Sequence, residues 1–282
     1  MSKNKYNYSL ILPYRDKYDL FLKAVDSVPD RNDIQIIIVD NAPQPLLKAD
    51  VPVKQNALVT YTTSSPTKGA GCARNVGLKK VEGRFIIFLD ADDYFIPKAF
   101  ESFDKYLDQD FDIVFFKANS INLMNGQQCG RHKVINHLVT SFLEGNNEDV
   151  LRYQFVNPIA KMFQSEFVLK KGFQFDEIKV SNDVWFSIMT GHAARRITAD
   201  NAVVYMITAG DNGTSLTRRM TKENWFIRFQ VMVRVNKFLK SVGKYQYRIR
   251  LIGALRIAWR DFGIREVFHL LSYAYANKVS IF

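Results

Sequence analysis

The chain has 282 residues, and its 39 lysines and arginines exceed its 28 aspartates and glutamates by 11. This length suffices for one large α/β domain and a smaller appendage, and the basic excess favours anionic partners. Two cysteines give neither a disulfide framework nor a metal-ligand spacing. The first residues lack an apolar signal core, and no stretch approaches the ~20 apolar residues of a membrane span. We therefore expect a cytoplasmic protein without a membrane-spanning segment.

Apolar segments alternate with helical stripes through the first 120 residues. Strands are predicted at residues 9–12, 34–39, 58–61, 85–89 and 113–116, and helices at 17–28, at about 67–81 and after Pro97. This order, with short connections, predicts an α/β fold with a mainly parallel, doubly wound, Rossmann-like sheet and right-handed crossovers. From Thr221 the chain changes to two or three helices. We expect a domain of residues 1–220 and a basic amphipathic helical region of residues 221–282.

Three carboxylates follow the fourth predicted strand, in the sequence Asp90-Ala91-Asp92-Asp93. The carboxyl ends of parallel strands are where open α/β sheets bind ligands. Neighbouring carboxylates repel one another unless a cation lies beside them, and oxygen ligands suit Mg²⁺ or Mn²⁺, which also hold substrate phosphates. The residues therefore predict a metal site for a phosphorylated substrate. The alternative is an acidic strand-to-loop turn in which Asp92 and Asp93 are solvated or cap a helix.

Glycines surround Arg74 at the start of the second predicted helix: Gly69, Gly71 and Gly77. A helix N-terminus attracts phosphate, and Lys68 or Arg74 could add charge-assisted contacts. The segment matches neither a Walker A loop nor a dinucleotide fingerprint. A tight loop that only packs the helix is an equal alternative.

Asp183 precedes another predicted helix, at residues 184–189. One interpretation makes Ser181 or Asn182 the N-cap and lets Asp183 favour the positive end of the helix dipole. The other makes Asp183 a carboxylate base that is held apart from the acidic cluster. The residues alone leave both open.

Aromatic and basic side chains are interleaved in the predicted C-terminal helices, as in Trp225 with Arg228 and Trp259 with Arg256 and Arg260. This pattern is typical of a helical region that packs on the domain or self-associates. It is equally typical of a patch that binds anionic lipid at the membrane interface.

In their order along the chain, these motifs resemble the family 2 inverting glycosyltransferases, which bind nucleotide-sugars in a GT-A fold. Apolar strands end in Pro13-Tyr14-Arg15-Asp16 and in Asp40-Asn41. The more specific blocks are Ala73-Arg74-Asn75, the Asp-x-Asp motif that begins at Asp90, and Asn182-Asp183. The similarity spans about residues 8 to 216.

The resemblance implies a role for each motif. Asp40 would hydrogen-bond the donor base beside Pro13 and Arg15, Asp90 would contact the ribose or a metal-bound water, and Asp92 would ligate a metal on the diphosphate. The implied catalytic base is Asp183. The expected donor-binding residues are Pro13, Arg15, Asp40, Lys68, Arg74, Asn75, Asp90 and Asp92, and the expected ligands of Mn²⁺ or Mg²⁺ are Asp92, Asp90 and Asp93.

The implied activity is metal-dependent, inverting transfer of one sugar from a nucleotide-sugar to a hydroxyl of a glycan or lipid-linked saccharide, in cell-surface polysaccharide biosynthesis. The processive Gln-x-x-Arg-Trp signature is absent, because Gln230 is followed by Val-Met-Val-Arg. The run that begins at Pro13 looks like the Pro-Phe-Arg-Asn of some galactosyltransferases and favours a UDP-hexose. Two positions depart from the family: Arg15-Asp16 replaces Tyr-Asn, and Asn182 replaces an acidic residue.

Other functions stay open as alternatives. A nucleotidyltransferase would carry a glycine-rich phosphate loop directly after the first strand, where Pro13 stands here. A non-catalytic protein that binds a nucleotide-sugar or an anionic surface is a further alternative, whereas no motif supports nucleic-acid binding. Peripheral association with the inner membrane face through residues 221–282 and oligomerisation are both compatible with the sequence. Asp211 is a further candidate metal ligand, although a turn role beside Gly210 is favoured.

Overall fold

The computed structural model describes residues 4–145, 147–210 and 221–281. Its centre is an eight-stranded sheet with the strand order β3-β2-β1-β4-β7-β6-β8-β5. The strands are β1 (Tyr6–Tyr14), β2 (Ile34–Asp40), β3 (Leu58–Thr63), β4 (Gly83–Phe88), β5 (Tyr94–Phe95), β6 (Ile113–Asn122), β7 (Lys161–Gln164) and β8 (Ile197–Ala209).

Helices cover this sheet and continue beyond it. They are α1 (Tyr18–Asp26), α2 (Gly69–Leu78), α3 (Ala99–Asp104), α4 (Lys133–Gly145), α5 (Glu148–Gln154), α6 (Ser165–Lys170), α7 (Val184–Ala193), α8 (Lys222–Ser241), α9 (Leu251–Phe262) and α10 (Ile264–Ala276). Short 3₁₀ helices lie at Lys48–Asp50 and Tyr245–Tyr247. Among the described residues, no helix combines the length and the hydropathy of a membrane span.

The structure confirms the predicted α/β fold, and the burial of the strands gives the physical reason. Every residue of β2 and the last seven residues of β1 are buried, as expected for parallel strands covered on both faces. The pairs β3-β2, β2-β1, β1-β4 and β6-β8 are parallel. The short strand β7, which the sequence pattern did not predict, runs antiparallel between β4 and β6.

The C-terminal helices form an apolar cluster of their own, which includes Trp225, Phe229 and Leu270. A second cluster joins α8 to the sheet-bearing part of the chain, because Val235 and Leu239 pack with Ile188 of α7. The helical region therefore has a separate core and an apolar attachment to the rest of the protein. The domain boundary near residue 220 stays a prediction.

Candidate active site at the carboxyl edge of the sheet

Strand register brings the predicted site residues to one edge of the sheet. Tyr14 at the end of β1 lies opposite Asp40 at the end of β2, which in turn lies opposite Thr63 at the end of β3. On the other side of β1, Ile11 pairs with Phe88 of β4. The four strands thus end together, and the loops after them, including the acidic cluster, share this edge.

Asp40 is buried and holds the loop that follows it. Its carboxylate accepts hydrogen bonds from the backbone N–H groups of Ala42 and Leu46, both at 2.8 Å, and from the hydroxyl of Tyr61 at 2.7 Å. Burial and this bond raise the pKa of Tyr61 to about 12, so it remains a donor. An ionised carboxylate offers about four acceptor positions. Three of these acceptor positions are used, so one remains for a ligand such as the nucleobase of a donor.

Two basic residues on the rim already have partners. The Nη1 atom of Arg15, which is exposed, donates to the carbonyl of Pro66 at 2.7 Å and ties the end of β1 to the loop after β3. The ammonium of Lys68 pairs with Glu177 at 2.8 Å. Pro13 is buried in the last part of β1. These contacts place Arg15 and Lys68 at the edge of the site and Pro13 within its wall.

Arg74 is the central cation of the site and is almost fully buried. Its Nη2 donates to Oδ1 of Asp90 at 2.5 Å, and its Nη1 donates to Oδ1 of Asn182 at 2.9 Å. Burial alone would lower the pKa of Arg74, but Asp90 and then Asp183 outweigh it and raise that pKa. Its Nε atom is buried without a partner. The guanidinium thus links the acidic loop after β4 to the segment before α7.

The glycines of α2 allow that segment to approach. A Cβ atom on Gly71 would lie 2.0 Å from the carbonyl oxygen of Asp176 and 3.0 Å from the Cβ of Asn182. Asn75 completes the contact, because its side chain donates to the carbonyl of Phe175 and accepts from the N–H of the same residue, at 3.0 and 2.8 Å. The close packing of α2 on residues 175–182 explains why Gly71 and Asn75 occupy these positions. A bound phosphate is not needed to explain them.

The three carboxylates after β4 occupy different environments. Asp93 is 5% exposed and accepts from the N–H of Thr208 at 2.7 Å. Burial, followed by the charges of Asp92 and Asp90, raises the pKa of Asp93 well above its ordinary value. The side chain of Asp92 is half exposed, with the Lys17 ammonium 3.9 Å away. Asp92 is therefore the most open of the three carboxylates.

Asp183 occupies the N-cap position of α7 but makes no capping hydrogen bond with its side chain. The interpretation in which Ser181 or Asn182 is the N-cap is wrong, because α7 begins at Val184 and Asp183 directly precedes it. Burial raises the pKa of Asp183, while Arg74 and Lys161 oppose the rise. An uncapped, partly buried carboxylate with a raised pKa is a candidate for a general base.

The described residues include no group of three or more His, Cys, Asp or Glu side chains that could hold a metal ion by themselves. Mg²⁺ and Mn²⁺ do not need such a group, since one or two carboxylates with substrate phosphate oxygens and waters suffice. Asp92, with Asp90 beside it, fits that mode. Asp93 is the least accessible of the three carboxylates, because it is 5% exposed and one of its oxygens accepts the N–H of Thr208.

Three side chains of the site were missed by the sequence analysis. Tyr61 bonds Asp40, the hydroxyl of Tyr205 accepts from the N–H of Asp90 at 3.1 Å, and the hydroxyl of Thr208 donates to the carbonyl of Asp92 at 2.6 Å. All three lie in strands, where tyrosine and threonine are ordinary sheet formers, so no sequence signal marks them. The candidate ligand Asp211 lies outside the described residues.

The fold and the residues at the carboxyl edge of the sheet match a known protein family. Residues 9–168 match the model for glycosyl transferase family 2, which is more than half of the chain. The chain therefore belongs to glycosyl transferase family 2. Asp183 lies beyond the matched residues, so its role does not follow from the match.

The chain is similar to two curated bacterial proteins. The chain is 24% identical over 234 residues to the minor teichoic acid biosynthesis protein GgaB of Bacillus subtilis, covering 78% of this chain and 25% of GgaB. It is 24% identical over 122 residues to the poly(ribitol-phosphate) beta-N-acetylglucosaminyltransferase TarS of Staphylococcus aureus, covering 41% of this chain and 21% of TarS. The chain thus spans about a quarter of the length of these relatives.

Solved structures show the same fold. Residues 1–349 of S. aureus TarS, crystallised with UDP-GlcNAc, superpose with a TM-score of 0.69 at 17% identity, over 96% of this chain and 81% of that one. A mannosyltransferase from Pyrobaculum calidifontis in complex with GDP-Man and Mn²⁺ gives a TM-score of 0.54 at 14% identity, over 97% and 81% of the two chains. At these identities the similarity establishes the GT-A-like fold alone.

Proposed function

We propose that this protein is an inverting, non-processive glycosyltransferase that transfers one sugar from a UDP-sugar to a hydroxyl of a phosphate-bearing cell-surface polymer or its lipid-linked precursor. The observation that carries the proposal is the linkage of Asp90 to the segment of Asp183 through Arg74. Arg74 thus joins a candidate donor site to a candidate catalytic base. Family membership, the teichoic acid relatives and the net charge of +11 support the substrate classes.

In this proposal the nucleobase of the donor lies against Pro13 and hydrogen-bonds the remaining acceptor position of Asp40. Arg15 lies at the rim of this site. Asp90 contacts the ribose or a metal-bound water. Asp92 and Asp90 would hold Mn²⁺ or Mg²⁺ together with diphosphate oxygens. When bound, the cation neutralises charge that develops on the leaving diphosphate.

Asp183 acts as the base at the acceptor. Its carboxylate removes the proton of the acceptor hydroxyl as that oxygen forms a bond to the anomeric carbon. The bond between that carbon and the diphosphate oxygen breaks on the opposite face, and the nucleoside diphosphate leaves with the electron pair. Configuration at the anomeric carbon therefore inverts. Arg74 positions Asp90 and Asn182 for this step.

A thermal-shift screen tests the donor site. We expect one UDP-sugar, with Mn²⁺, to raise the melting temperature by several degrees at about 100 times its Kd, and GDP-mannose to give no shift. Asp92→Asn should abolish the Mn²⁺-dependent part. Asp108→Asn, a change at an exposed carboxylate away from the sheet edge, serves as the control. If no nucleotide-sugar stabilises the wild type, the proposal fails.

Turnover tests the reaction itself. UDP release should require both the donor identified in the screen and a phosphate-bearing polyol acceptor, and NMR of the product should show the anomeric configuration opposite to that of the donor. Retention of configuration would contradict the assignment of Asp183 as a base that activates the acceptor.

A further inference from the structure

Apolar side chains form an exposed stripe on α10. Ile264, Phe268 and Tyr275 are spaced at i, i+4 and i+11, so they lie on one face of this helix. Leu271, at i+7, is partly buried against the C-terminal apolar cluster and is not part of the stripe. Within the stripe, Ile264 is 53% exposed, Phe268 65% and Tyr275 86%. Trp259 in the last turn of α9, 65% exposed, lies five residues before the stripe. An amphipathic helix of a folded domain ordinarily buries such a face.

The protein's own core leaves this face uncovered. A different face of α10, with Leu270 and Ala274, is fully buried in the C-terminal apolar cluster. Trp259 and Phe268 belong neither to that cluster nor to its partly buried neighbours. The two helices thus have one face for folding and a second apolar face toward solvent.

Basic side chains flank the exposed face. Arg256 and Arg260 lie within one turn of Trp259, and Arg265 follows Ile264, and all three arginines are exposed. Two acidic side chains lie in α9 and α10. Asp261 pairs with Arg260 and offsets part of its charge, and Glu266 is buried against Lys222 of α8. We call Trp259, Ile264, Phe268 and Tyr275 with the three arginines the aromatic-basic patch.

We propose that the aromatic-basic patch binds an anionic phospholipid bilayer, with α10 lying flat in the interface. Tryptophan and tyrosine suit the boundary between headgroups and acyl chains, and arginines attract acidic lipids. With 13 residues, α10 is about 20 Å long, which is shorter than the ~30 Å hydrocarbon core. A second copy is a poorer occupant, because a two-fold contact would bring the same arginines together. This inference does not depend on the sugar donor or the acceptor.

Flotation of the whole chain with vesicles, without nucleotide-sugar, tests the proposal. Vesicles of phosphatidylcholine with phosphatidylglycerol should bind the protein, and vesicles of phosphatidylcholine alone should bind it far more weakly. The triple variant R256Q/R260Q/R265Q should partition about a hundredfold more weakly. The double variant W259S/F268S should lose at least about tenfold. Melting temperatures should stay unchanged, because these side chains are exposed.

Matched controls separate the patch from general basicity. K79Q/K80Q/K105Q removes the same number of charges at exposed sites elsewhere, and M124S/V134S removes two apolar side chains, each 67% exposed. Both controls should bind like the wild type. The proposal is overturned if the charge control loses as much binding as the arginine triple. It is also overturned if anionic vesicles do not bind the wild type. A dimer that is seen by analytical ultracentrifugation and abolished by W259S/F268S would then assign the patch to self-association.

Discussion

Arg74 joins two parts of the site that lie about a hundred residues apart in the chain. Its planar guanidinium contacts Asp90 and Asn182 simultaneously. A lysine ammonium is compact and non-planar and cannot make both contacts in this geometry. We expect Arg74→Lys to lower kcat by about 10- to 100-fold, because small displacements of reacting groups are costly. Donor Kd, measured by calorimetry, should rise by a smaller factor than kcat falls, because Arg74 reaches the donor only through Asp90 in this proposal.

The same variant separates two roles for Arg74. The sequence predicts a donor-binding residue, whereas the contacts indicate a positioning residue. A fall in donor affinity that matches the fall in kcat would favour direct contact with the donor. Arg84→Lys, at a partly exposed arginine that lies over the ring of Phe85, should leave both constants unchanged.

Asp183 is expected to set the acid limb of the pH profile. Burial raises the pKa of this carboxyl above the ordinary ~3.9 of an aspartate. Because a carboxylate acts as a base only when it is ionised, activity should fall as the pH drops through that raised pKa. Asp183→Asn should lower kcat by about 10²- to 10⁴-fold and retain the donor-induced thermal shift. Loss of that shift, with Asp108→Asn unaffected, would show that Asp183 acts in donor binding.

At the scale of the elements, the contact between α2 and residues 175–182 depends on a missing side chain. Gly71→Ala would place a methyl group 2.0 Å from the backbone oxygen of Asp176, so α2 or the segment before Asp183 must shift. We expect a loss of about 1–3 kcal/mol in the free energy of unfolding, together with lower turnover. Urea denaturation and initial rates measure the two effects.

A second helical glycine provides the control. Gly253 lies inside α9 with open space around its missing Cβ, so Gly253→Ala should stabilise the protein by up to about 1 kcal/mol without changing turnover. If both variants lose stability equally, the close approach at Gly71 is not the cause.

The sequence predicted the strands of this edge well, because β1, β2 and β4 are mostly apolar and end at polar turns. It also placed Asp40, Asp90 and Asp92 at one edge, since parallel strands end together. It could not predict the environments of individual carboxylates. The burial of Asp93 depends on Thr208 of β8, more than 100 residues away, and the antiparallel insertion of β7 depends on tertiary pairing that no local pattern encodes.

At the scale of the whole molecule, the helical region is attached through α8, which contributes to two apolar clusters. Val235 and Leu239 face Ile188, whereas Trp225 and Phe229 face α9 and α10. The helix that carries Asp183 at its start, α7, is therefore packed against the region that carries the aromatic-basic patch. If both proposals hold, a bilayer bound at the patch would tether the candidate active site near a lipid-linked acceptor.

One buried carboxylate makes the stability of this region depend on pH. Glu266 of α10 is 1% exposed and pairs with Lys222 at the start of α8 at 2.8 Å and with His269 at 3.2 Å. Burial alone would raise the pKa of Glu266, but Lys222 and His269 outweigh it and hold that pKa below its ordinary value. The stabilisation is therefore present above the unfolded pKa of ~4.3 and lost as pH falls through the folded pKa.

Glu266→Gln tests this dependence. We expect the variant to be about 1–2 kcal/mol less stable at pH 7, because Lys222 and His269 lose their charged partner. The difference from the wild type should shrink when urea denaturation is repeated at steps from pH 5 to pH 3. Asp108→Asn, at an exposed carboxylate outside the helices, should match the wild type throughout. A difference that persists unchanged at pH 3 would mean that Glu266 stabilises α10 through packing and hydrogen bonding, and that its charge is not what joins α8 to α10.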